Sequence, residues 1–273
     1  MKVTTRTFKE KKKKGEKIVL VTAYDYPTAL LADEARMDGI LVGDSLGMVI
    51  QGHDTTLPVT VEEMLYHTKI VRRAVKNALL ITDMPFLSFQ ISLEEAIRNC
   101  GTMIKEGGAE AIKLEGGKSV VPIIRALIDI GIPVMGHIGL TPQSVHLFGG
   151  YRVKGKVKEE IEILKEDALV LEEVGVFSVV LEGIPMEVAK EITESLKIPT
   201  IGIGAGPYCD GQVLVFHDLV GFYESEKPKF VKEYAQIASI IKDALRKYKE
   251  EVKSGMFPDE AHSYKLLKKK EEI

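Results

Sequence analysis

Eight short apolar runs, each followed by a polar or glycine-rich exit and then a longer stretch with helical spacing, most constrain how this chain can fold. The runs cover residues 18–24, 39–45, 79–85, 111–117, 133–139, 178–184, 200–206 and 214–221. They are rich in Val, Ile and Leu with little polar alternation, as expected of strands buried on both faces, and parallel strands of that kind need helical crossovers. Between them, Thr60 with Glu63 and Ser92 with Glu95 mark helix starts, because a hydroxyl followed three residues later by a carboxylate fits a capping box. Repeated βα units of this number predict an α/β protein with a closed (β/α)8 TIM barrel. The alternative is an open doubly wound sheet with a dinucleotide loop at Gly202-Ile203-Gly204-Ala205-Gly206. That stretch departs from G-x-G-x-x-G and comes late in the chain.

A single barrel domain is expected over residues 1–273, closed by a helix from about residue 229 to 249 and an aromatic tail, Phe257-Pro258-Asp259-Glu260-Ala261-His262-Ser263-Tyr264. A solvated tail rarely combines Phe, His and Tyr, so docking on its own barrel or on a neighbouring subunit is expected, with residues 268–273 frayed. With 273 residues, 45% of them apolar and 28% charged, the chain can build one large core. A formal charge of -3, with basic residues dispersed apart from the lysines at 11–14, argues against nucleic acid or a membrane surface as partner and favours a small molecule. Cys100 and Cys209 form neither a disulfide framework nor a C-x-x-C pair, and read as one helix-packing thiol and one loop thiol. No run approaches the roughly 18 apolar residues of a membrane span, and no signal-type core follows the lysine-rich start, so a cytoplasmic location is expected.

A parallel barrel gathers its strand exits at one rim, so residues distant in sequence meet there. The exits carry Asp25, Asp44, Ser45, Asp83, Lys113, Glu115, His137 and Glu182. Carboxylates sharing one mouth repel one another and retain protons unless a cation joins them. All-oxygen ligands without cysteine suit a hard ion such as Mg2+, which takes one or two carboxylates and keeps positions open for water and substrate. Asp44, Asp83 and Glu115 are the candidate metal residues; the plainer reading of each is a helix N-cap or a surface acid. Lys113, two residues before Glu115, points to the same side of its strand, either as a structural ion-pair partner or as an anchor for an anionic substrate. Ser45 offers its hydroxyl to a substrate carboxylate or to the next helix start. Glu182 comes from the far half of the strand order and is a candidate general base for a carbon acid, with a salt bridge to a barrel lysine or arginine as the alternative. His137 reads as a supporting hydrogen-bond partner or proton buffer, or as a satisfied structural histidine. Segment 146–156, glycine-rich and basic, reads as a mobile loop over the mouth or as a plain solvated loop. No G-x-S-x-G elbow, Walker A loop or H-E-x-x-H helix is present, which removes the commonest hydrolase and NTPase readings.

Asp44-Ser45-Leu46-Gly47-Met48-Val49, Thr56-Leu57-Pro58-Val59-Thr60, Asp83-Met84-Pro85-Phe86, Lys113-Leu114-Glu115-Gly116-Gly117, Gly136-His137-Ile138-Gly139-Leu140-Thr141-Pro142-Gln143-Ser144, Gly202-Ile203-Gly204-Ala205-Gly206 with Asp210-Gly211-Gln212, and the tail from Phe257 form an ordered set of motifs. Together they resemble the ketopantoate hydroxymethyltransferase family. The resemblance runs in order from about Thr5 to Tyr264, with no departure at a family functional position. It implies a (β/α)8 barrel of the phosphoenolpyruvate/pyruvate-like superfamily, assembled as a homodecamer. It also implies a reaction in which 3-methyl-2-oxobutanoate receives a hydroxymethyl group from 5,10-methylenetetrahydrofolate to give 2-dehydropantoate, on the way to pantothenate and coenzyme A. By family motif, Asp44, Asp83 and Glu115 match the Mg2+ positions, one ion per subunit. Asp44, Ser45, Asp83 and Lys113 match those that hold the oxo acid, and Glu182 matches the proton acceptor. In that chemistry Mg2+ acts as a Lewis acid that stabilises the enolate formed when C3 loses its proton.

Two other functions are weighed against this one. A Mg2+-dependent oxo-acid C–C lyase of the same superfamily would commonly carry a reactive cysteine in a Lys-Lys-Cys-Gly-His run, which this chain lacks. A non-catalytic oxo-acid-binding barrel would have no need of the full set of acids, lysine and glutamate.

Overall fold

The computed structural model describes residues 2–224 and 227–266. The expected fraying at 268–273 lies outside the described residues. In chain order the elements are α1 (Thr5–Lys14), β1 (Ile18–Thr22), α2 (Tyr26–Glu34), β2 (Gly39–Val42), α3 (Leu46–Val49), α4 (Val61–Ala74), β3 (Leu79–Asp83), α5 (Leu93–Lys105), β4 (Ala111–Glu115), α6 (Val121–Asp129), β5 (Val134–Gly139), α7 (Lys158–Val174), β6 (Ser178–Glu182), α8 (Met186–Ser195), β7 (Thr200–Ile203), β8 (Gly211–Leu214), α9 (Phe216–Leu219) and α10 (Ile237–Ser254). All strand pairs are parallel, and they close in sequence order from β1 to β8 and back to β1. The closed barrel excludes the open doubly wound sheet.

Alternate residues of the strands build the barrel interior. Ile18, Leu20, Leu41, Leu79, Ile81, Ala111, Met135, Val180, Ile201 and Val213 form one buried apolar cluster. Phe8 of α1 enters it from the strand starts and packs edge-on against Phe177, ring centroids 5.8 Å apart. Two residues further along the same inward series come Asp83 after Ile81, Lys113 after Ala111, His137 after Met135 and Glu182 after Val180, with Glu115 two beyond Lys113. The strand period of two therefore stacks a polar layer directly on the apolar one, at the exit end.

The helix starts follow the local chemistry. At Thr60 the capping box is complete, with Glu63 N–H donating to the threonine hydroxyl and the Glu63 carboxylate accepting from Thr60 N–H. At Ser92 only the serine half forms, accepting from Glu95 N–H. Cys100 is buried in α5 and Cys209 is buried in the connection before β8; both are free thiols.

Three expectations need correction. The βα alternation fails between β7 and β8, where residues 204–210 cross without a helix. Gly204 and Gly206 sit at positive φ, Pro207 follows them, and the Asp210 carboxylate accepts from Thr200 N–H at 2.9 Å, which straps the connection to the start of β7. The eighth strand is Gly211–Leu214, not 214–221. Gly211 lies against the Ile18 carbonyl, where a Cβ would come within 2.4 Å, and beyond Leu214 the Phe216 N–H donates to the Thr22 hydroxyl and the chain turns into α9. The last helix begins at Ile237, not near residue 229, because the N–H groups of Tyr234, Ile237 and Ala238 donate to the carbonyls of Leu219, Val220 and Gly221.

The chain divides into two compact units, Met1–Phe216 with Pro228–Val231, and His217–Lys227 with Lys232–Ile273. The first is the barrel. Within the second, Phe257 packs against Tyr248 of α10 and against His262, whose Nδ1 lies 2.6 Å from Asp259 Oδ1. Among the described residues no helix is long and apolar enough to cross a membrane.

Candidate active site

The polar layer at the exits of β2 to β6 holds Asp44, Asp83, Lys113, Glu115 and His137, each at least nine-tenths buried, with the less buried Glu182 beside them. Asp83 and Lys113 are direct partners across the β3–β4 ladder, and their side chains form a short ion pair. Glu115 and His137 are direct partners across β4–β5. The His137 ring stands between two carboxylates, with Nδ1 3.6 Å from Glu115 Oε1 and Nε2 3.2 Å from Glu182 Oε2, and neither contact is aligned as a hydrogen bond. Asp44 follows Gly43 at the exit of β2, where a Cβ on the glycine would come within 2.8 Å of Ser45 Oγ and 3.3 Å of Asp83 Oδ2. Only glycine lets these two exits approach so closely.

The candidates differ in their surroundings. Ser45 precedes α3 but makes no cap bond; its hydroxyl shares a 2.7 Å hydrogen bond with the Tyr24 hydroxyl. Glu182 faces His137 and makes no ion pair with a lysine or arginine among the described residues. Asp25, also at a strand exit, does not join the group: it caps α2, accepting from the N–H and hydroxyl of Thr28 at 2.8 Å each. In segment 146–156, Lys154 sits over the Phe148 ring and its N–H donates to the Gly183 carbonyl at 2.9 Å. The Tyr151 hydroxyl of that segment reaches Met48 Sδ of α3 at 3.8 Å.

Four carboxylates, counting Glu182, face one ammonium and one imidazole, so the mouth holds more acids than bases. Burial, with the charges of Asp83 and Glu115, pushes Asp44 up to about 8. Burial also raises Asp83, against the pull of Lys113. Burial would lower Lys113, but Asp83, Glu115 and Asp44 more than reverse it and hold the ammonium firmly protonated. Burial works to raise Glu115, and His137, Lys113 and the Gln143 N–H outweigh it, so this acid lies below the usual range. Burial and Lys113 would lower His137, yet Glu115 and Glu182 bring it up to about 9. Among the described residues no three of His, Cys, Asp and Glu are already drawn together around a metal position. The donor set nevertheless suits a hard divalent cation: it is all carboxylate oxygen, short of positive charge, and one of its acids is held towards its neutral form until a cation arrives.

Sequence reasoning assigned no role to Gln143 and Tyr24, which touch this group, or to Tyr151 near it. Gln143 donates to Asp44 and Glu115, Tyr24 bonds Ser45, and Tyr151 feels the charges of Asp44, Glu182 and Glu115. Tyr24 carried a signal, as a polar side chain in a strand exit. Gln143 stood in a quoted motif just after the fifth run. Tyr151 had only its place in the loop.

Solved structures with the same fold include phosphonopyruvate hydrolase in complex with oxalate and Mg++, at 13% identity and TM-score 0.62, covering 97% of this chain and 92% of the other. Another is 2,3-dimethylmalate lyase, a PEP mutase/isocitrate lyase superfamily member, at 17% identity and TM-score 0.60, covering 96% and 92%. At these identities the likeness concerns the fold. In sequence, the chain is 59% identical to the 3-methyl-2-oxobutanoate hydroxymethyltransferase of Pelobacter propionicus over 96% of this chain and 97% of that one. It is 55% identical to the enzyme of the same name from a Thermoanaerobacter species, over 98% of each. A family profile described as ketopantoate hydroxymethyltransferase matches residues 2–260. With eight parallel strands closed in order and a family profile matched almost from end to end, this chain belongs to the ketopantoate hydroxymethyltransferase family.

Proposed function

We propose that the protein transfers a hydroxymethyl group from 5,10-methylenetetrahydrofolate to C3 of 3-methyl-2-oxobutanoate, giving 2-dehydropantoate, and that this step feeds pantothenate and coenzyme A synthesis. The observation that carries the reading is the charge-deficient mouth, three buried carboxylates on one lysine with a fourth acid set apart against His137, in a chain of this family. Asp44, Asp83 and Glu115 would hold Mg2+, one per subunit. When bound, the ion supplies Lewis acidity towards the 2-oxo acid.

The remaining work falls to the chain's own side chains. Lys113 offsets the substrate's negative charge, and Ser45, held by the Tyr24 hydroxyl, donates to its carboxylate. Asp44 and Asp83 complete the oxo-acid site. Glu182 takes the C3 proton, and the electron pair left on C3 forms the bond to the methylene carbon of the folate. The carbon–nitrogen bonds of that methylene break, water supplies the hydroxyl oxygen, and tetrahydrofolate leaves with both released nitrogens protonated, one proton coming from the water and one being the equivalent of that taken from C3. His137, 3.2 Å from Glu182, is placed to steady the carboxylate and pass its proton on.

We read the protein as cytoplasmic and as a homodecamer of single-domain barrels, with the C-terminal helix and tail docking on a neighbouring subunit. The support for the assembly is the exposed apolar stripe of α10, Ile241, Leu245, Tyr248 and Val252. The function is tested by following product formation from 3-methyl-2-oxobutanoate with a tetrahydrofolate or a methanopterin-type donor, with and without Mg2+. Turnover that needs Mg2+ and the folate donor is expected. No turnover with either donor overturns the reading.

A further inference from the structure

Gln143 ties together acids that the strands alone do not. It lies in the tight turn Pro142–Ser144 directly after β5 and is 7% exposed. Its side-chain amide donates to Asp44 Oδ2 at 2.9 Å and to the Met84 carbonyl at 2.8 Å, and its main-chain N–H donates to Glu115 Oε2 at 3.0 Å. A residue carried by β5 thus reaches the exits of β2, β3 and β4. Asp44 and Glu115 belong to strands separated by β3, so no ladder hydrogen bond sets their distance directly. We propose that Gln143 is a positioning residue for a divalent-cation site: its side-chain amide holds one oxygen of Asp44 so that the other is left for the ion, beside a Glu115 carboxylate steadied by the Gln143 main-chain N–H and by His137. This rests on the reading of those acids as cation ligands.

The residue type follows from the charge balance of the mouth. An amide NH2 offers two donors and no charge, and here both donors are used. A lysine or arginine at 143 would neutralise the acids and compete with the ion. A glutamate would add a further carboxylate to a site already short of positive charge. Asparagine is one methylene shorter, and methionine, of similar length, donates nothing. Glutamine orients the carboxylates while leaving their charge available, which is how outer-shell donors tune metal ligands elsewhere.

The test measures binding of Mn2+ alone, by loss of the free-ion electron paramagnetic resonance signal, to the native protein, Gln143→Met and Gln143→Asn. Both variants are expected to keep the circular dichroism of the native fold and to bind Mn2+ about 10- to 100-fold more weakly. The KM for the divalent ion should rise by a similar factor, while kcat at saturating ion returns close to the native value, a split that general loosening of the fold would not give. If the methionine variant does not fold, the asparagine variant decides. Equal Mn2+ affinity in the native protein and a folded variant overturns this proposal and leaves the reading of the acids intact. A native protein that binds no Mn2+ overturns both.

Discussion

The two ends of the barrel hold the same residue types in opposite states. At the strand starts, Asp38, Glu110 and Asp210 stand just before β2, β4 and β8, and each meets its own lysine: Lys11 at 2.5 Å, Lys2 at 2.6 Å and Lys12 at 2.8 Å. Each also accepts a main-chain N–H, from Val19, Leu80 and Thr200 respectively. At the exits, Asp44, Asp83 and Glu115 share Lys113. A carboxylate matched by a cation and by backbone donors works as a staple between neighbouring strands. A carboxylate in excess is held ready for something that arrives. In barrels of this kind the exit face carries chemistry and the other face carries stability, and the charge balance here divides along the same line.

The largest expected effect lies at the exits. Glu182→Gln should slow turnover by about 10²- to 10⁴-fold, the range for a lost general base, with the melting midpoint near native; steady-state kinetics alongside a melting curve checks both. At the other end the pattern should invert. Asp33 accepts from the N–H groups of Lys76, Asn77 and Ala78, so Asp33→Ala should lose about 3 kcal/mol in denaturant titration as those donors lose their acceptor, while kcat of the folded protein holds. Asp44→Asn should raise the stability of the ion-free protein by about 1 kcal/mol, because it removes a charge that burial and two neighbours disfavour, and should abolish any stabilisation by Mg2+. Asp38→Asn, by contrast, should lower stability. A stabilising substitution at the strand starts, or a destabilising one at Asp44, would break the comparison.

The pH dependence of the ion-free protein follows from the same imbalance. His137 sits at about 9 against its ordinary 6.5, and Asp44 at about 8 against 3.8. Both groups bind protons in the folded chain that the unfolded chain has already released, so stability falls as pH rises. The His137 contribution is complete below pH 6.5 and lost through 9, and that of Asp44 is lost between 3.8 and 8. Calorimetry in chelator should therefore show a lower midpoint at pH 9 than at pH 7, and added Mg2+ should narrow the gap by taking the place of the Asp44 proton. The smallest effect is expected at the rim, where Tyr151→Phe should raise the KM for the oxo acid while kcat and the midpoint stay unchanged.

The barrel was legible in the sequence because strands buried on both faces leave unbroken apolar runs, and closure in order follows from their number. The eighth strand was not, since Gln212 interrupts Gly211–Leu214 with an exposed polar side chain while the more apolar stretch beyond it turns into α9. The strap between β7 and β8 was hidden by its glycines, which read as a strand exit followed by a crossover. The mouth residues could be named because strand exits converge whatever their separation in sequence. Asp25 shows the limit, because an exit acid that caps its own helix looks the same in sequence as one that faces its neighbours. Gln143 and Tyr24 act on residues 99 and 21 positions away, contacts that no local pattern specifies. The acids before β2, β4 and β8 form a pattern as regular as the exit acids, and what separates the two is one lysine for each acid at the starts against a single lysine for three at the exits.

Solvent deuterium exchange at C3 of 3-methyl-2-oxobutanoate, followed by proton NMR with no folate present, separates proton removal from group transfer. The native protein with Mg2+ should exchange the C3 proton, chelation should bring the rate to background, and Glu182→Gln with the oxo acid bound should lose at least about 10²-fold. Exchange at the native rate in a Glu182→Gln protein that still binds the oxo acid would contradict the assignment of the set-apart acid as the base.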